Sequence, residues 1–170
     1  MISVALLFAA IVALPRTVLV EEEQGTGDLL RLLAKPEDVF WGKAIFNFAF
    51  IGFNAALLTI LFLGFTNTPL AHFDLYLLAV AGSCSAYAGT VTLCGALVTH
   101  ASNRSALAGV LAVPLLLPLT FLAVGSLRVA FDMHGSLNFT NGLISGVGIL
   151  VYGLATLAVG PYLFAAVWKR

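Results

Sequence analysis

The side chains able to do chemistry in this 170-residue chain are few and scattered. Three are histidines, His72, His100 and His134. Imidazole ligates metals and haem iron. These three lie in different stretches between apolar runs and share no ligand spacing, so loop histidines with no ligand role are the better reading. Cys84 and Cys94 stand on one apolar run. Ten residues of helix separate them by about 15 Å, too far for a disulfide, and they read as small packing residues. Asp74 and Asp132 sit at the edges of apolar runs, and no run from residue 44 onward has a charge at its centre. Acids within spans mark proton relays, so a proton-driven carrier is not expected. Asn47 and Asn54 share one helix face and read as hydrogen-bonding groups toward a neighbouring helix. The HExxH, GxSxG, Walker and dinucleotide-binding patterns are absent. No catalytic residue, no metal site and no ATP site is therefore assigned.

The densest chemistry lies in Glu21–Lys43, EEEQGTGDLLRLLAKPEDVFWGK. Glu21, Glu22, Glu23, Asp28, Glu37 and Asp38 make it strongly acidic. Gly25 and Gly27 break an incoming helix. Asp28 suits the first turn of a new one, where the helix dipole favours an anion. Leu29, Leu30, Leu32 and Leu33 then form an apolar stripe, with Arg31 and Lys35 off it. Pro36 stops this short helix and can open the next at its first position, with Glu37 and Asp38 in that first turn. Two uses follow for the predicted amphipathic helix. It can rest on a lipid surface, or it can dock a soluble partner. Lipid-surface helices usually present a basic face. The flanking acids here repel anionic lipid and weigh toward docking.

Composition says what must hold these residues. The chain is 61% hydrophobic and 9% charged, with no net charge, and its mean hydropathy is +1.04. A soluble domain is about 25% charged. Sixteen charges cannot cover a water-facing globule. A soluble enzyme, a disordered chain and a nucleic-acid binder are excluded, the last for want of a basic face. Two cysteines are too few for a disulfide framework. In lipid only helices and closed barrels satisfy the backbone, and continuous apolar runs select helices. The expected fold is an all-α polytopic transmembrane bundle forming one domain, residues 1–170, with a cytoplasmic segment at about 21–43. Five spans are predicted, near residues 2–20, 44–65, 73–98, 106–127 and 142–167.

Orientation follows from the cations. Arg16, Arg31, Lys35, Lys43, Arg104, Lys169 and Arg170 fall on one side and Arg128 alone on the other. The cation-rich side is read as cytoplasmic, with the C-terminus inside and the N-terminus outside. Trp41 and Trp168 fall at that cytoplasmic boundary, as interface anchors do. The first run lacks the basic n-region and cleavage site of a signal peptide and is read as a span. A further span before Met1 would return the N-terminus to the cytoplasm. Gly82, Ser83, Ser85, Ala86, Gly89, Thr90 and Gly95 on the third span, and Gly142 and Gly146 on the fifth, allow close helix approach. Packing within the chain is the stronger reading of these than dimerisation. Pro114 and Pro118, on one face of the fourth span, remove two backbone donors and predict a bent span able to serve as a moving part.

Two stretches resemble the CcmB family, the permease component of the bacterial haem-exporter ABC transporter of cytochrome c maturation. One is Glu21 to Asn47: acids, Gly25-Thr26, the Leu29-Leu30-x-Leu32-Leu33-x-x-Pro36 run and Gly42-Lys43. The other is Arg104 to Ala123, with Val113-Pro114-Leu115-Leu116-Leu117-Pro118-Leu119. Together they cover about 45 residues at motif level. The family has six spans, so this chain begins at what would be the second, and Gly27-Asp28 stands where the family has Leu-Glu. The resemblance implies an ABC-2-like permease of the bacterial inner membrane, partnered by a separate ABC ATPase subunit and further cytochrome c maturation membrane subunits. A homodimer within the complex is allowed. Glu23, Gly25, Asp28, Leu29, Leu30, Leu32, Leu33 and Pro36 would form the ATPase-coupling contact. Haem would be cargo of the complex, and no haem ligand is assigned to this chain. Two other readings share the same sequence features: an ABC-2-like permease for a lipid, drug or polysaccharide, and a membrane scaffold without transport.

Overall fold

The computed structural model describes residues 3–12, 35–66, 70–98, 104–132 and 137–168. Among these the chain is an all-α bundle of α1 (Ser3–Val12), α2 (Pro36–Thr66), α3 (Phe73–Val98), α4 (Arg104–Ala130) and α5 (Phe139–Trp168). Helices α2 to α5 are each long and apolar enough to cross a membrane. They coincide with the second to fifth predicted spans. The first predicted span is described only over α1, and its remainder lies outside the described residues.

Helix α3 is the centre of the bundle and packs against α2, α4 and α5. Of its span positions 72% are buried, against 17% for α2, 39% for α4 and 22% for α5. Its mean hydropathy is also the lowest, 1.5 against 2.0 to 2.2 for the others. The two orderings have one cause. A lipid-facing helix must be apolar all round, whereas a helix surrounded by protein can carry small and polar residues. Those polar groups are satisfied locally. The hydroxyls of Ser83, Thr90 and Thr92 donate to the carbonyls of Ala79, Ala86 and Ala88, four residues back, at 2.6 to 2.8 Å.

Lipid tails are as apolar as leucine, so close packing has to hold such helices together. The α3–α5 seam shows how. Leu75 lies against Gly142, Leu78 against Gly146, Gly82 against Ile149, Ser85 against Gly153 and Gly89 against Thr156. Residue numbers rise together along both helices, so the two run parallel. Steps of three and four alternate on each, a heptad-type pattern. At every level a glycine faces the larger residue. Gly142 and Gly146 are thus spent on packing within the chain.

The neighbouring pairs run antiparallel. Asn47 Nδ2 donates to Thr92 Oγ1 at 3.0 Å, and the Thr59 and Tyr76 hydroxyls bond farther along α2 and nearer the start of α3. Tyr87 and Thr120 join α3 to α4 through their hydroxyls at 3.1 Å. At one end, the amides of Ala71 and His72 donate to the Ala130 carbonyl at 3.1 Å, tying the α2–α3 turn to the end of α4. We call this the His72 end. The opposite, Trp41 end carries the start of α2 and the last turns of α3 and α5.

Candidate functional site

Of the predicted coupling residues, Glu23, Gly25, Asp28, Leu29, Leu30, Leu32 and Leu33 lie outside the described residues. Pro36 is described, and it is the first residue of α2. The Lys35 carbonyl accepts from the amides of Asp38 and Val39 at 3.1 and 3.2 Å, closing the first turn. Glu37 and Asp38 stand exposed in that turn, on the favourable end of the helix dipole. At 31 residues α2 is about 46 Å long, more than the ~30 Å hydrocarbon core. Its charged first turns can therefore extend beyond the lipid.

One turn later α2 is gripped by the bundle. Val39, Phe40 and Ala44 are buried with Ala96 of α3 and Phe164 of α5. The Phe40 ring meets Phe164 edge-on, with centroids 5.8 Å apart. Its tip fills the place where a side chain at residue 160 would be, which Gly160 leaves open. Pro161 follows, buried and inside α5. Reading by sequence passed over this anchor. The Gly160-Pro161 pair inside an apolar run was its only signal, and nothing local says that Phe40, some 120 residues earlier, fills the gap.

Beside the anchor lies a cavity of about 330 Å³ between α3, α4 and α5. Cys94, Leu115 and Phe164 form part of its apolar wall, and Thr90, Tyr152 and Thr156 add hydroxyl-bearing side chains. Such apolar walls with a few polar groups are usual for small-molecule sites. Pro114 and Pro118 flank Leu115 on the same helix. Both prolines are exposed, whereas Ala112, Leu116 and Leu119 face the core. Helix α4 continues through both from Arg104 to Ala130. Their contribution is therefore to the backbone ladder and not to packing. Changing both to Ala restores two donors, and we expect the melting temperature in detergent to rise. If the chain works in a transport complex and the loosened ladder is a moving part, turnover of that complex should fall. Unchanged turnover in the stabilised variant would remove that role.

The remaining residues divide clearly. Asn47 reaches α3 as expected, but Asn54 does not. Its side chain donates to the Phe50 carbonyl of its own helix at 2.8 Å. Cys84 and Cys94 are buried and free. His72 is exposed, its ring 5.0 Å from that of Phe139, while His100 and His134 lie outside the described residues. Among the described residues no three His, Cys, Asp or Glu side chains cluster to hold a metal. Asp132 accepts from the Leu137 amide at 2.6 Å. Asp74 sits in the first turn of α3.

No family model, curated protein or solved structure matches the chain.

Proposed function

We propose that this membrane bundle is the permease subunit of an ABC transporter of the ABC-2-like type. It would work with a separate ATPase and, on the resemblance of Glu21–Asn47 and Arg104–Ala123, in haem handling for cytochrome c maturation. The observation that supports this best is the entry to α2. An acidic, leucine-rich segment leads into Pro36, and Phe40 is locked against α5 four residues later. A push on the segment would reach the bundle at its anchor and not dissipate in a loop. ATP-driven closure of the ATPase would move the coupling helix, and α2 would carry the motion as a rigid body toward α5 and the cavity. The helix thus acts as a lever, and the chain itself does no hydrolysis.

The test is co-purification from detergent-solubilised native membranes through a tag at Arg170. An ATPase together with haem-handling membrane proteins is the expected result. An ATPase alone would keep the permease and discard the haem assignment. No ATPase under gentle extraction would discard the permease.

A further inference from the structure

At the His72 end a second cleft, of about 430 Å³, opens between α1, α2 and the last turns of α4. Phe62 and Phe131 wall it, packed edge-on with centroids 5.3 Å apart. Val124 and Leu127 extend the apolar surface along α4, and Ser3, itself buried, adds a hydroxyl-bearing side chain. Arg128 lines the same cleft and is exposed. We infer that this cleft binds an anionic phospholipid, its phosphate on Arg128 and an acyl chain along Phe62, Val124 and Leu127.

Two features carry the inference. First, the cleft pairs apolar walls with one guanidinium, Arg128, so its lining suits a ligand that has both an acyl chain and an anionic group. Second, Arg128 is the one cation that the count assigns to this side, where the topology of a span asks for none. The dipole at the end of α4 favours a cation there only modestly. Guanidinium is the side chain best matched to phosphate, through paired, charge-assisted hydrogen bonds. A zwitterionic headgroup brings its own cation to the phosphate and gains less from the arginine. The inference is independent of the transport assignment.

The test uses the full chain, delipidated in detergent. Phosphatidylglycerol, phosphatidylcholine and inorganic phosphate are titrated separately while melting temperature and bound lipid are read. Phosphatidylglycerol should stabilise the wild type more than phosphatidylcholine does, and inorganic phosphate should have no effect. Arg128→Gln should weaken phosphatidylglycerol binding about tenfold or more, and Arg128→Lys should keep part of it. Val124→Trp leaves the charge and fills the cleft, and it should weaken binding as well. Equal phosphatidylglycerol binding in the wild type and both disruptive variants would overturn the inference. A shift with phosphate alone equal to that with lipid would replace it with a free-anion site.

Discussion

Gly153→Ala destabilises the bundle by about 1–3 kcal/mol, and Gly153→Leu prevents the native seam from closing. An added Cβ at this position meets the Ser85 hydroxyl, the Ala86 amide nitrogen at 2.7 Å and the Ser85 carbonyl carbon at 3.0 Å. Two of those three atoms are backbone of α3, which has no rotamer to change. Relief requires α3 and α5 to separate, and separation opens the whole heptad-spaced row from Leu75 to Gly89. Gly82 differs in degree. Its closest neighbour is a side-chain methyl, Ile149 Cγ2 at 2.7 Å, and the nearest backbone atom, Leu150 N, stands farther off at 3.1 Å, so Gly82→Ala should cost less. Gly52 on α2 is the control, because a Cβ there meets nothing within 4 Å. Gly52→Ala should be neutral or stabilise by about 0.5–1 kcal/mol through backbone entropy. Thermal unfolding in detergent micelles reads all three. A Gly153→Ala melting temperature equal to that of Gly52→Ala would show that the seam is looser than this packing requires.

The residues that failed to announce themselves share a physical property with that seam. Helix existence is local, so the apolar runs located α2 to α5 to within a few residues at most ends. The start of α2 was marked by Pro36, and the excess of small residues in 82–95 was visible at once. Partner choice is not local. Nothing in residues 142–156 says that their glycines meet 75–89 and not another copy of the chain. The Asn47/Asn54 pair makes the limit concrete. Both lie on one helix face, yet only Asn47 finds a hydroxyl facing it across the interface. Asn54 turns back to the Phe50 carbonyl of its own helix, a choice that nothing in its neighbouring residues announces. Central placement of α3, by contrast, was readable in principle, since its lower hydropathy is what burial within protein permits.

If the chain is the proposed ABC permease, Leu30→Asp and Leu33→Asp should each abolish ATPase co-purification while leaving bundle stability unchanged. The leucine stripe precedes Pro36, so it is not part of the four long helices whose packing sets the unfolding temperature. Placing a carboxylate on an apolar docking face removes buried area and adds a charge that must lose its water. Loss of one such central contact typically costs about 2 kcal/mol or more, about 30-fold in affinity. A neighbouring change off the stripe, Arg31→Gln, should keep most of the association, because rim charges contribute little. The contrast between stripe and rim separates the two uses open to this helix. If the helix only rested on lipid, adding an acid would release it from the membrane surface but leave any ATPase contact elsewhere intact. Retained ATPase in both aspartate variants would therefore remove the coupling role. The Phe40 anchor offers a second, independent break in the same lever. Phe40→Ala leaves the leucine stripe whole and empties the gap against Gly160 and Phe164. In the proposed complex the ATPase should still bind this variant, but its hydrolysis should no longer drive transport, because the push would have lost its grip on α5.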